Sequence, residues 1–123
     1  MTTGDAIDRK AIEAMLENTG GDPEFVAEII EDYLADTVIR LDELVAALNA
    51  KDSVSAKRAA HTIKGSSSSF GASHFSALAA ELEQLSLQSE FEPAAAQLPA
   101  FRLELERVTI GLHAEQSRLL EPD

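Results

Sequence analysis

The chain has 123 residues, a formal net charge of −12 and no cysteine. That length suits one domain, 1–123, with a modest core, and the missing cysteines exclude disulfides, thiolate sites, iron–sulfur centres and c-type haem while fitting a cytoplasmic setting. The acidity disfavours nucleic acid and anionic membrane as partners, no apolar run approaches the ~20 residues that span a bilayer, and the polar start Met1-Thr2-Thr3-Gly4-Asp5 lacks the order of a secretory signal.

All periodicity in the chain is helical. Asp5 is placed to cap a short first helix carrying Ile7, Ala11, Met15 and Leu16, which Gly20 and Gly21 end. Asp22-Pro23-Glu24 is a strong start signal: a capping carboxylate, a proline in the first turn, and an acid at the positive helix end. The stripe Phe25, Ile29, Tyr33, Val38, Leu41, Leu44, Val45 and Leu48 then predicts a helix lasting to about Asn49, roughly 40 Å long. Asp52 or Ser53 caps the next helix, which ends near Phe70 with Gly71 as the left-handed residue. Ser73 is the expected cap of a helix bearing Phe75, Leu78, Ala79, Leu82 and Leu85. A loop is expected over 88–92. From Pro93 the pattern returns through Leu98, Phe101, Leu105, Val108 and Leu112, with Pro99 either starting or kinking the last helix. The core is expected over about 5–117, with a frayed tail after Ser117. Strand signals are missing, and buried strands ending in acids, as a receiver domain needs, are not found. The expected fold is all-α: an antiparallel four-helix bundle with a short additional N-terminal helix.

The helix around His61 carries the chemistry. At about 100° per residue, Lys57, Arg58, Lys64, Gly65 and Ser68 fall within roughly 60° of His61. Ala56, Ala59, Ile63, Ser66 and Phe70 fall on the opposite, buriable side. Lys51, Lys57, Arg58 and Lys64 form a positive island in an acidic chain. Gly65 is about 1 kcal/mol poorer than Ala inside a helix, and its place on the polar face suits the approach of another molecule better than internal packing. An ordinary imidazole, with a pKa of about 6.5, is mostly neutral near pH 7 and already nucleophilic. An exposed imidazole, an ammonium beside it and an empty neighbouring slot can hold a phosphoryl group.

The string AHTIKGSSSSFGA over 60–72 resembles the signature of histidine-containing phosphotransfer (HPt) domains of two-component phosphorelays, through Ala60, His61, Lys64, Gly65, Ser66 and Gly71. The resemblance extends to the acidic helical region before the motif and to Leu82-Glu83 after it. It implies that His61 accepts the phosphoryl group on Nε2, that Lys64 contacts its oxygens, that Gly65 leaves room for the donor, and that Glu83 holds the other ring nitrogen. It further implies a cytoplasmic, monomeric relay intermediate that takes the group from the receiver domain of a hybrid sensor kinase and passes it to the receiver of a response regulator. Mg²⁺ is then expected on the partner receiver, with no cofactor on this chain.

Other readings have weaker support. A metal-binding bundle would use Glu-x-x-His pairs, but Arg58, Gly71 and Ile110 stand three residues before His61, His74 and His113. Autonomous ATP-dependent kinase activity would use a glycine-rich phosphate loop, and none occurs. The alternative that remains is a non-catalytic helical regulator binding a receiver domain or sensor kinase without carrying phosphate; such a protein is expected to lose the His or the Lys. His74 and His113 are read as structural or surface residues, and Met15 as a core residue.

Overall fold

Aspartates fix the starts of three of the five helices. The computed structural model describes residues 5–122, with α1 at Arg9–Asn18, α2 at Pro23–Asn49, α3 at Ser53–Ser69, α4 at Ser73–Leu87 and α5 at Phe91–Leu119, and no strand among the described residues. The Asp8, Asp22 and Asp52 carboxylates accept from the backbone N–H groups of Lys10, Phe25 and Ser55 at 3.0, 3.2 and 3.1 Å. Each satisfies a donor that the first helical turn leaves unpaired.

Helix ends are equally regular. Three-residue connections follow α2, α3 and α4, and the central residue of each, Lys51, Gly71 and Ser89, has a φ of 55°, 73° and 57°. In each turn the next N–H reaches back to the last helical turn: Asp52 to the Ala47 carbonyl, Ala72 to Ser67 and Glu90 to Leu85, at 2.9, 3.1 and 2.8 Å. These are Schellman closures. They reverse the chain within a few residues, so α2 to α5 run up and down as the antiparallel bundle that the periodicity predicts.

Several predicted boundaries move. The cap of α1 is Asp8, not Asp5, because the Asp8 N–H is tied to the Gly71 carbonyl at 3.0 Å and its side chain then faces the Lys10 N–H. Ser73 is the first residue of α4, not its cap; the cap position is the fully buried Ala72, with no side-chain hydrogen bond. The loop over 88–92 is shorter, since α5 begins at Phe91. Pro93 therefore sits in its first turn, where an N–H is not needed. The helix neither starts nor stops at Pro99 but runs through it. Ala95 and Pro99 are both exposed, so the carbonyl denied its partner faces water. Helix also persists past Ser117: Arg118 pairs with Glu115 at 2.7 Å and Leu119 packs against the core.

The core is built from Ile12, Val26, Ile30, Leu44, Ile63, Phe75, Leu82, Phe101, Val108 and Leu112, all at most 1% exposed. Phe75 stacks on Phe101, and Tyr33 on Phe70, at ring separations of 4.4 and 4.3 Å. On α2 the buried stripe lies one residue from the expected one at three points: Val26, Ile30 and Thr37 are inside, while Phe25 and Val38 are 46% and 51% exposed and Ile29 is half-buried. On α3, Ala56, Ala59, Ile63 and Phe70 are buried as expected, but Ser67, not Ser66, completes the inner face. Ser67 shares a 2.6 Å hydrogen bond with the Tyr33 hydroxyl. α1 and the residues before it close one end of the bundle. Ile7 lies against Gly111, and Arg9 donates to Glu115 at 3.0 Å.

Gly71 combines a left-handed φ with crowding: a Cβ there would lie 2.7 Å from the Asp8 carbonyl oxygen and 2.9 Å from Ala11 Cβ. Gly20 shares the φ, at +78°, with nothing within 4 Å. Gly20→Ala should therefore lower stability by about 1 kcal/mol, and Gly71→Ala by roughly 2 kcal/mol or more because backbone must also move. Urea unfolding of both variants checks this; equal losses would mean that α1 yields freely.

Candidate functional site

α3 and α4 meet through small side chains. Ala56, Ala59, Ala60 and Ser67 on one helix and Ala79 and Ser86 on the other are buried, which allows the helices to approach closely. The Ser76 hydroxyl reinforces the contact by donating to the Lys64 carbonyl at 2.9 Å. This closeness brings α4 side chains within reach of the outer face of α3.

His61 stands at the middle of α3, with its side chain 62% exposed. Its Nδ1 lies 2.9 Å from Glu83 Oε2, and Lys64 Nζ lies 2.8 Å from Glu83 Oε1. One carboxylate thus holds both cationic-capable groups, one on each oxygen. With Glu83 ionised, Nδ1 carries the proton and donates, and Nε2 is the nitrogen with the free lone pair. Nε2 has no hydrogen-bond partner among the described residues.

Burial raises the Glu83 pKa, but the hydrogen bonds from Lys64 and His61, with their charges, outweigh it and leave the carboxyl below its ordinary value. A depressed carboxylate pKa stabilises the fold above the unfolded value, and that contribution is lost as pH falls through the folded one. The pair is therefore intact at neutral pH and opens only in acid.

Gly65 is exposed and a Cβ placed on it would touch nothing within 4 Å. It has no packing role. Lys57, Arg58 and Ser68 are also exposed on this face. A shallow recess of about 240 Å³ lies between Val54, Lys57, Arg58, His61 and Glu83. The sequence reading did not single out Val54, which is 62% exposed. Its position seven residues before His61, two turns along the same face, was the signal. Leu87, 58% exposed and four residues after Glu83 on α4, extends the apolar margin.

His74 and His113 lie elsewhere. His74 is exposed at the start of α4, and His113 is 3.8 Å from Glu31 between α5 and α2. No group of three or more His, Cys, Asp or Glu able to hold a metal ion occurs among the described residues. No helix among them is long and apolar enough to cross a membrane.

The geometry predicts a single neutral tautomer. At about pH 8, above the ordinary imidazole range, ¹⁵N NMR should show His61 protonated on Nδ1. Glu83→Ala should restore a mixture of tautomers, while Glu83→Gln should keep Nδ1 protonated through its amide oxygen. A mixture in the parent chain would mean that the contact does not persist in solution.

Comparison with known proteins gives matches in sequence and in fold. A family model described as "Hpt domain" matches residues 28–110. The phosphorelay intermediate protein rdeA of Dictyostelium discoideum is 30% identical over 94 residues, covering 76% of this chain and 37% of that protein. The chain thus spans little more than a third of that relative's length. Histidine-containing phosphotransfer protein B (HptB) from Pseudomonas aeruginosa PAO1 has a similar solved structure, with a TM-score of 0.84, 26% identity, and coverage of 92% of this chain and 96% of that one.

Proposed function

Because the chain belongs to the Hpt domain family, we propose that it is a phosphorelay intermediate in which His61 takes a phosphoryl group from a receiver-domain aspartate and gives it to a second receiver. The observation that carries this reading is the shared carboxylate: Glu83 engages Nδ1 and Lys64 together, leaving Nε2 exposed. In the forward step the Nε2 lone pair attacks phosphorus, the bond from phosphorus to the aspartyl oxygen breaks, and the receiver recovers its carboxylate. The ring becomes an N-phosphoryl imidazolium, whose Nδ1–H and positive charge are held by Glu83. Attack by the next receiver's carboxylate reverses the same changes. No proton leaves the ring in either step, so this chain needs no general base.

Lys64 supplies positive charge one turn from His61, where the phosphoryl oxygens arrive. Gly65 leaves a gap through which receiver loops approach, and the exposed Val54 and Leu87 give that contact its apolar part. Mg²⁺ belongs to the receiver. The donor is read as the receiver of a hybrid sensor kinase, the acceptor as that of a response regulator, and the chain as a cytoplasmic monomer. The regulator that never carries phosphate is the rival reading, and retention of His61, Lys64 and their common carboxylate weighs against it.

Incubation with a phosphorylated receiver and Mg²⁺ should label the chain on one histidine, with an acid-labile, alkali-stable bond. His61→Gln should abolish the label without loss of helicity; a label that survives, or is acid-stable, contradicts the assignment.

Lys64→Ala should slow transfer by ~10²-fold and shift stability by no more than about 0.5 kcal/mol. Gly65→Gln should match or exceed the parent in stability, since Gly is the poorer helix former, yet transfer poorly. Normal transfer by both variants would leave Lys64 only its ion pair with Glu83 and put the receiver contact elsewhere.

A further inference from the structure

The end of the bundle remote from His61 carries a second surface of different character. A groove of about 840 Å³ runs between the first turns of α2 and the last of α5. Phe25, Ile29 and Leu120 supply its apolar part, and Phe25 and Leu120 are 46% and 53% exposed. Along its rim stand Asp22, Glu24, Glu28, Glu31 and Asp32, and no Lys or Arg is among the residues that line it. Its floor is braced: the Gln116 amide donates to the Ala27 carbonyl at 2.9 Å and to Glu31 at 2.8 Å, tying α5 to α2.

Phe25 and Leu120 differ from the other exposed apolar side chains in sharing one groove, where a polar rim surrounds them, and that combination suits a contact surface. The acids around them repel anionic lipid and nucleic acid, and would also oppose each other across a self-association interface. The charge complement is a cationic segment with an apolar stripe. The acidic rim extends from Asp22 to Asp32, about three helical turns or roughly 15 Å, which matches a short amphipathic helix laid into a groove. We propose that this groove docks a Lys/Arg-rich amphipathic helix of a partner protein. The Tyr33–Ser67 hydrogen bond sets the antiparallel register of α2 and α3, which puts Phe25 roughly 20 Å along the bundle from the level of His61. A partner held there leaves the phosphoryl site open, so tethering and transfer proceed together.

The test uses the full chain and a synthetic helix of about 14 residues with leucine at i, i+3 and i+4 positions and lysine elsewhere. Saturable binding is expected, with backbone amide shifts centred on residues 22–32 and 116–120. Phe25→Ser, at an exposed position, should weaken it about tenfold, as should the pair Glu28→Lys and Asp32→Lys, and all these variants should accept phosphate on His61 at the parent rate. Four results overturn the proposal: no saturable binding, shifts centred elsewhere, unchanged affinity in Phe25→Ser, or a control peptide with serine for leucine that binds equally well. A concentration-dependent dimer that buries Phe25 would also overturn it, by giving the groove to a second copy.

Discussion

The register of α4 against α3 is the constraint on which the site depends. His61 and Glu83 are 22 residues apart in the chain and 2.9 Å apart in space. Small buried residues let the helices approach, and Gly71 sets where the hairpin turns. Adding one residue to that turn would rotate the Glu83 side chain by about 100° relative to His61. The Ser76 hydrogen bond to the Lys64 carbonyl and the Phe75–Phe101 stack oppose such a slip. Packing far from the histidine thus decides which nitrogen of the histidine is free.

The electrostatics of Glu83 follow from that placement. Partial burial alone would favour the neutral acid, but two cationic-capable neighbours keep it ionised. The same carboxylate restrains Lys64 before any phosphate arrives. In the proposed transfer an incoming phosphoryl group would offer Lys64 a second anion on the exposed side, and the ammonium has three donors to divide between them. Glu83 can then keep the Nδ1–H bond while the ring gains charge. A single acid thus orients the imidazole and positions the cation, and in the proposed transfer it would also support the product.

Much of this was legible in the chain itself. The helical period gave the four long helices. Asp22-Pro23 and Gly71 marked boundaries because each has one dominant conformational use. His61, Lys64 and Gly65 share a face by spacing alone, and the structure brings Glu83 to them. What was not legible had tertiary causes. Lys51 and Ser89 are left-handed without the glycine that usually signals it. Asp8 displaces Asp5 as a cap because Gly71, some 60 residues away, binds its N–H. Phe25 and Phe70 look alike in sequence, yet only Phe70 has a Tyr33 ring to stack on.

Net charge and local charge act on different scales here. At −12 the chain would repel a receiver's acidic active site if its charges acted together. At physiological ionic strength the Debye length is about 8 Å, so an approaching partner senses only the patch in front of it. At the His61 face that patch is Lys57, Arg58 and Lys64 on the outside of α3. Phe25 in the acidic groove, roughly 20 Å away along α2, is more than two screening lengths off, and the groove's near edge at Asp32, about 10 Å away, is about one, so the two surfaces act largely separately on what approaches them. The two surfaces can therefore differ in sign without cancelling, which is what the proposed receiver contact requires of a cationic face on an otherwise strongly acidic protein.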